Sequence, residues 1–356
     1  MSLLSLPPEL ILSTFQIAVD TFPQYDYRGN EHTSNLRSFS LVHPKWTSLA
    51  QSQLAQSIWL SSRTVQNEKT FAALEKAPFD ETETTRLFWR GGPANQLEEL
   101  VMMERFRKIK YLSIDVDVSI SLIANFPHLE TLHVSDASLI LSDTPQLSFP
   151  TLKRLVLADR AIIEGDHLAY ANVFNTAAMP KLSHLALDCH GLRGSDMLVP
   201  FIRHVLPLAR ALALNRSDFG DGDLKAYSMI MEEAQRSPKL EHLSVALDAE
   251  DLPLRILFED SPSLKLKSLH LSGEELGSRE MAERLFAIAK GEHETIKVEK
   301  VVMYGQSREG PGDDYPESEH EAFTWIGRGG FRCGFLGMEY PPFEDFDGSF
   351  HPANLV

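Results

Sequence analysis

Residues Pro127–Val134 have the sequence PHLETLHV, in which leucines stand two and five residues after the proline and an aliphatic residue ends the stretch. The same spacing recurs at Pro150–Leu157, at Pro180–Leu187 and at Pro238–Val245. Pro207–Leu214 matches it with alanine in the first leucine position. Residues two apart point to the same side of an extended chain, so each stretch predicts a short strand with one buried face.

Three further segments keep the apolar spacing without the proline: Ile109–Ile114, Leu266–Leu271 and Val298–Met303. From Leu112 to Val301, the second apolar position recurs on average about every 27 residues, a period typical of stacked structural repeats. Such repeats must stack because a single one cannot bury its own apolar face. The sequence therefore predicts an α/β fold in which parallel strands line one face of a stacked array.

The segments between the predicted strands carry the apolar spacing of helices. The expected helical stretches are Leu224–Ala234, Met281–Ala289 and the shorter Asp196–Val205. Proline has no N–H and a fixed φ, so each repeat proline is predicted to end the preceding helix and to begin the extended segment. We expect the strands on the concave face of the array and the helices outside.

These segments resemble the repeats of leucine-rich-repeat proteins over Ile109–Met303, and Ile58–Leu60 and Leu87–Trp89 extend the resemblance toward the N-terminus. Regular repeats of that family place Asn or Cys five residues after the second leucine, where the side chain bonds the backbone of the next turn. We expect this ladder to be missing and the solenoid to be irregular, similar to the degenerate repeats of many fungal and plant adaptor proteins. The residues at these positions are Asp117, Ala137, Arg160, His190, Ser217, Asp248 and Glu274.

The N-terminal segment Leu6–Ile11 has the sequence LPPELI, which favours the start of a helix. Proline in the first turn costs no hydrogen bond, and Glu9 places negative charge at the positive end of the helix dipole. An apolar stripe continues to Ala18, and Leu36–Val42 and Trp46–Leu54 are further amphipathic stretches. The first sixty residues therefore predict a small helical module.

This segment resembles the F-box, a family that begins with Leu-Pro-x-Glu-Leu and later has Leu-Val-x-x-x-Trp; Leu6–Leu10 and Leu41–Trp46 match these motifs. The resemblance implies that the helices bind the Skp-family adaptor subunit of a cullin–RING ubiquitin ligase. The connection Asp20–Asn35 is longer than in compact F-boxes, and a helical cap that only seals the open end of the solenoid is the alternative. The adaptor contacts that the resemblance implies are Leu6, Pro7, Pro8, Leu10, Ile11, Leu41, Val42 and Trp46.

The charge balance disfavours two classes of partner. The chain has 34 Lys and Arg against 50 Asp and Glu, a formal net charge of −16, and no run of basic residues. Because nucleic acids and anionic membranes are bound through clustered Lys and Arg, we expect neither as a partner. Cys189 and Cys333 form no C-x-x-C pair, so neither a zinc site nor a disulfide is predicted. The chain shows no signal-peptide core and no apolar stretch of about 20 residues, which favours a cytoplasmic or nuclear protein.

The sequence contains no catalytic or metal-binding motif. The H-E-x-x-H, G-x-S-x-G and phosphate-loop patterns are absent, so we expect no enzymatic activity, no cofactor and no metal. The histidines in or beside the predicted strands are interpreted as polar residues of the concave face rather than as ligands. The acidic stretch Arg308–Glu321 is interpreted as a solvated loop.

The predicted organisation has three parts: residues 1–60 as an F-box-like helical module, 61–305 as a leucine-rich-repeat solenoid and 306–356 as an acidic loop with a C-terminal cap. The predicted function is a substrate-receptor subunit of a cullin–RING (SCF-type) ubiquitin ligase that holds an unidentified target protein and catalyses nothing itself. The alternative is a repeat scaffold for protein–protein interaction with no ubiquitin link. The target contacts predicted from strand alternation are Tyr111, Ser113, His133, Arg154, His184, His242, His270 and Tyr304.

Overall fold

The structure, a computed structural model, describes residues 47, 57–61, 84–91, 97, 106–141, 147–158, 161–188, 195–215, 221–247, 264–273, 296–304 and 332–334. Within them the chain forms fourteen strands and four α-helices. The strands are β1 Ser57–Ser61, β2 Arg86–Arg90, β3 Tyr111–Ile114, β4 Val118–Ser119, β5 Thr131–Ser135, β6 Ser138–Ile140, β7 Arg154–Ala158, β8 Ile162–Glu164, β9 His184–Asp188, β10 Ala211–Asn215, β11 His242–Leu247, β12 Leu264–Gly273, β13 Ile296–Tyr304 and β14 Arg332–Gly334. The helices are α1 Ile120–Ile123, α2 His167–Val173, α3 Ser195–Val205 and α4 Asp221–Arg236, and a 3-10 turn spans Leu206–Leu208.

Eleven of these strands form one parallel sheet in the order β1-β2-β3-β5-β7-β9-β10-β11-β12-β13-β14. Each strand of this sheet therefore lies beside the sheet strand that precedes it in the chain. The prediction of an α/β protein with a parallel sheet is confirmed. The strands expected at Ile58–Leu60 and Leu87–Trp89 are confirmed as β1 and β2.

The second leucines of the repeats form a single buried row across the sheet. Each pairs in register with the leucine of the neighbouring strand, and none is more than 1% exposed. Full burial of a leucine side chain stabilises a fold by about 2 kcal/mol, so this row is a main contribution to the core. Its members are Leu87, Leu112, Leu132, Leu155, Leu185, Leu212, Leu243 and Leu269.

The repeat prolines begin turns, and the prediction that they begin the extended segments is wrong. In each repeat that has the proline, the second residue after the proline donates its N–H to the carbonyl of the residue that precedes the proline. Examples are Leu129 to Phe126 at 3.2 Å and Leu152 to Phe149 at 3.3 Å. Proline suits the second position of such a turn because its φ is already fixed there. The strand starts four residues after the proline, at Thr131 in the first repeat.

A second set of backbone bonds holds neighbouring strands together where they begin. In seven successive repeats one carbonyl oxygen accepts the N–H groups of two consecutive residues of the next repeat; Lys110, for example, receives Glu130 at 2.7 Å and Thr131 at 2.9 Å. The accepting residues are Thr85, Lys110, Glu130, Lys153, Ser183, Arg210 and Glu241. These bonds involve no side chain, so any residue except proline, which has no N–H, can stand at each position.

Two of the three segments without the proline form longer strands than the sequence pattern predicts, whereas the third forms β3, which has four residues. β12 has ten residues and β13 has nine, whereas the strands that follow a proline turn have five or six. The first apolar residues, Leu266 and Val298, pair with each other inside the ladder. The missing proline leaves every backbone N–H available for this longer pairing but does not by itself cause it, because β3 also lacks the proline and begins only at Tyr111.

The outer layer contains a small parallel sheet that the sequence analysis did not predict. β4, β6 and β8 form it, between the strands of the main sheet. The intervals from Leu112 to Leu132 and from Leu132 to Leu155 are the two shortest between second leucines of the predicted repeats. They hold β4, the short α1 and β6, whereas α2, α3 and α4 lie in the longer intervals that follow Leu155. The interval from Leu155 to Leu185 also holds β8, so what these longer intervals have in common is a helix of seven or more residues.

The helices confirm two predictions and add two elements, α1 and α2. α3 and α4 lie at the predicted stretches, and Met231 and Ala234 of α4 are buried. α2 was not predicted; its N-cap, Asp166, accepts the N–H of Ala169 at 2.7 Å, which satisfies a free donor of the first turn. The stripe expected at Met281 lies outside the described residues.

One rung of the ladder that the sequence analysis expected to be missing is present. The carboxylate of Asp117 accepts the backbone N–H of Ser138, in the following repeat, at 2.7 Å. Aspartate provides the same acceptor geometry as the asparagine oxygen of regular repeats. The expectation of a missing ladder is therefore wrong at this repeat.

Candidate protein-binding face

The face of the main sheet opposite the leucine row carries the candidate contacts, which we call the polar face. Strand alternation turns Tyr111, Arg154, His184 and His242 toward it in one row across the strands. Ser113, His133 and His270 belong to the next row, and Tyr304 to a third. For His270 and Tyr304 the structure describes only the strand position.

The described side chains of this face are less accessible than an outward position predicts. Tyr111, Arg154 and His242 are half-buried, and Ser113, His133 and His184 are buried. For His133, hydrogen bonds within the face give a physical reason, because the hydroxyls of Tyr111 and Ser113 both lie 3.2 Å from its Nδ1.

A polar cluster on β2, β3 and β5 surrounds this histidine. The Phe88 ring packs against Tyr111 with 5.2 Å between ring centroids. The guanidinium of Arg90 donates to the Ser113 hydroxyl at 3.5 Å and lies 3.9 Å from a carboxylate oxygen of Asp115. The cluster thus offers an aromatic surface, a guanidinium and hydroxyls side by side, the groups that are enriched in protein interfaces.

The carboxylate of Asp115 closes the cluster at the carboxyl ends of the strands. Burial raises its pKa above the ordinary value, although the hydrogen bond from the Gly91 N–H and the charge of Arg90 act in the opposite direction. A raised carboxyl pKa means that the fold favours the protonated acid more than the unfolded chain does. Asp115 therefore opposes folding slightly above its folded pKa, and this contribution disappears as the pH falls.

All three histidines whose side chains are described on this face have a hydroxyl beside Nδ1. Ser183 lies 2.8 Å from His184 and Ser268 lies 2.7 Å from His242. A hydroxyl that donates to Nδ1 leaves the ring proton of a neutral imidazole on Nε2, which fixes the tautomer and the ring orientation. Among the described residues no three His, Cys, Asp or Glu side chains are grouped to hold a metal ion.

The centre of the polar face is apolar. Val156, Ala158 and Ala186 form a small buried cluster separate from the main core, with Ala213 packed against it. His133 and His242 lie on strands to either side of the cluster, and His184 lies on β9 itself. An apolar centre with a polar surround is the usual composition of a protein interface.

The sequence analysis overlooked a second surface, at the amino ends of the strands. We call it the amino edge and define it by two rows of residues. The inner row stands two residues before the second apolar position of each repeat from Leu112 to Val301: Lys110, Glu130, Lys153, Ser183, Arg210, Glu241, Lys267 and Glu299. The outer row stands four residues before it: Lys108, His128, Thr151, Lys181, Leu208, Lys239, Lys265 and Lys297. The rows were visible in the sequence as soon as the repeats were aligned on their leucines.

Glu130 of the inner row lies between two lysines on the neighbouring strands. Its carboxylate is 2.7 Å from the ammonium of Lys153 and 3.9 Å from that of Lys110. The hydrogen bond from Lys153 lowers the pKa of Glu130, although partial burial acts to raise it.

Glu241 repeats the arrangement four strands further along the sheet. It accepts hydrogen bonds from Arg210 and from Lys267, the latter at 3.1 Å. Burial acts to raise the pKa of Glu241, but these two hydrogen bonds outweigh it and the pKa is lowered. Both carboxylates therefore favour the folded state while they are ionised.

We expect the glutamates of the amino edge to contribute about 1 kcal/mol of pH-dependent stability in total. Both folded pKa values are lowered, so the contribution is complete above the unfolded pKa and is lost as the pH falls through the folded values. Urea unfolding should show that the free energy of unfolding falls more between pH 7 and pH 3 for the wild type than for Glu130→Gln/Glu241→Gln. Asp115 is present in both proteins and cancels in the difference. Equal losses would contradict the prediction.

The predicted adaptor contacts, Leu6, Pro7, Pro8, Leu10, Ile11, Leu41, Val42 and Trp46, lie outside the described residues. None of the described helices is long and apolar enough to cross a bilayer. A scan against protein-family models finds no match, and a search of curated proteins finds no significantly similar sequence. The fold therefore defines the chain only as a mixed α/β protein with a parallel sheet built in chain order.

Proposed function

We propose that this chain is the substrate-receptor subunit of a cullin–RING ubiquitin ligase, and that its polar face holds the target protein. Such a receptor performs no covalent step. It raises the effective concentration of a target lysine near the ubiquitin carrier, and geometry rather than chemistry determines its specificity.

The observation that carries the proposal is the order of the main sheet, in which parallel strands follow one another as the chain forms them. Together with the repeated turns, this order supports a leucine-rich-repeat solenoid, an architecture that presents one continuous face to a partner. The polar cluster around His133 and the apolar centre at Val156 give that face both oriented polar groups and apolar area.

The link to ubiquitin rests on the F-box-like motif of the first sixty residues, Leu6–Leu10 and Leu41–Trp46. In this proposal their apolar side chains pack against the Skp-family adaptor, and the repeats that begin at β1 carry the target-binding face. Aromatic and aliphatic side chains at the centre of an interface provide most of its binding energy, so few substitutions suffice to abolish the contact.

A pull-down of the full chain with the purified adaptor subunit tests the proposal. We expect stoichiometric binding by the wild type and loss of binding by Leu10→Asp/Trp46→Ala. Leu168→Asp is the matched control, because Leu168 is 64% exposed on α2 and a carboxylate is solvated there. Circular dichroism establishes that all three proteins are folded.

Failure of the folded wild type to bind the adaptor would refute the receptor function. The alternative, a repeat scaffold without a ubiquitin link whose N-terminal helices cap the solenoid, would then be favoured. The two proposals share the polar face and differ only in the partner of the N-terminal segment.

A further inference from the structure

Three exposed lysines of the outer row belong to neighbouring repeats at the amino edge. Lys265 and Lys297 are direct partners in the register of β12 and β13, and Lys239 lies in the turn that leads into β11, the strand beside β12. Parallel neighbours are about 4.8 Å apart, and like charges directly opposite each other destabilise a sheet. The fold therefore concentrates positive charge at this place.

The outer row contains no acidic residue that offsets this charge. Its charged members are the lysines at 108, 181, 239, 265 and 297, all exposed. Lys181, Lys239 and Lys265 make no ion pair with any other residue in the described part of the chain. Two of the three glutamates of the inner row, Glu130 and Glu241, are already hydrogen-bonded to cations of their own row, and for Glu299 the structure describes only the strand position. This concentration of positive charge stands out in a chain of net charge −16.

We propose that the amino edge binds an acidic, extended segment of a partner protein, with its carboxylates along the outer row. The row crosses eight strands, from Lys108 on the approach to β3 to Lys297 on β13. At about 4.8 Å per strand its length is about 34 Å, which an extended peptide of about ten residues covers. The surface is separate from the polar face, so the inference does not depend on the ubiquitin link.

The charges favour a protein segment over nucleic acid. Glu130 and Glu241 place carboxylates within the inner row, and the net charge of −16 repels a long polyanion in every orientation. A short acidic segment contacts the outer row alone and extends little beyond it. Lysine ammonium groups bind carboxylates as point charges and impose no fixed geometry, which suits an extended segment.

Fluorescence anisotropy with labelled decaglutamate tests the proposal on the full chain at low salt. Lys239→Gln/Lys265→Gln should weaken binding about fivefold, because two exposed charge contacts are lost. Ile162→Glu/Leu168→Glu is the matched control: it changes the net charge by the same −2 at two exposed positions away from the amino edge, and its affinity should stay within about twofold of the wild type. Lys239→Arg/Lys265→Arg keeps the charge and should bind as the wild type does.

Three results would overturn the proposal, with folding of each protein verified by circular dichroism. The first is no binding of decaglutamate to the wild type at low salt. The second is an equal loss in the control and in the glutamine variant, which would make the effect one of overall charge. The third is binding of a ten-nucleotide thymidine single strand about tenfold tighter than decaglutamate, which would make nucleic acid the partner.

Discussion

Trp89→Ala is expected to lower the free energy of unfolding by about 4 kcal/mol, the largest effect of any single truncation in the described core. Trp89 is fully buried in the second half of β2, where it pairs in register with Leu60 on one side and Ile114 on the other. Removal of the indole leaves a cavity that β1 and β3 cannot fill, because both are held by ladders of backbone hydrogen bonds. The cost is therefore the lost burial together with the energy of the cavity.

Urea unfolding monitored by circular dichroism measures this effect. Ile162→Ala serves as its control, since Ile162 is 47% exposed on β8 and should change the stability by less than about 0.5 kcal/mol. A loss below about 1 kcal/mol for Trp89→Ala would show that the indole is not closely packed.

Leu212→Ala is expected to lower the free energy of unfolding by about 3 kcal/mol. Leu212 is fully buried in β10, in the middle of the leucine row, between Leu185 and Leu243. The alanine leaves a void between two side chains whose backbones are fixed in register, so the neighbouring strands cannot close it.

Leu168→Ala makes the same chemical change at a residue that is 64% exposed on α2 and should cost less than about 0.5 kcal/mol. The difference between the two variants isolates burial from the intrinsic effect of replacing leucine by alanine. Comparable losses in both would contradict the assignment of the leucine row to the core. Thermal unfolding provides a second measurement of the same difference.

The positions of the strands could be predicted from the sequence because one physical rule determines them. A leucine that must be buried, with another apolar residue two positions later, restricts a short segment to an extended conformation with one buried face. That rule placed Leu132 and Leu155 correctly and also found β1 and β2. The function of the proline was misjudged because the same fixed φ that favours an extended segment also suits the second position of a turn.

The remaining elements depend on distances that a local pattern does not contain. β6 and β8 form because the backbone groups of the segments between the main strands need hydrogen-bond partners in the outer layer. No periodicity at Ser138–Ile140 predicts this pairing. The bond from Ser138 to Asp117 joins two successive repeats, and the burial of His133 depends on hydroxyls on β3. The amino edge was missed for a related reason: lysines separated by a whole repeat form no run, and only the register brings Lys265 and Lys297 together.

The carbonyl groups that each accept two N–H groups from the next repeat make the spacing between neighbouring strands independent of the length of the loops that connect them. Each junction is made only of backbone atoms at a strand start, so an insertion or deletion elsewhere in the repeat leaves it intact. The unequal intervals between the second leucines, from Leu112 to Leu243, are therefore compatible with an even spacing of the strands. A chain built in this way can change its outer loops freely over evolutionary time while the binding surfaces of the sheet keep their dimensions.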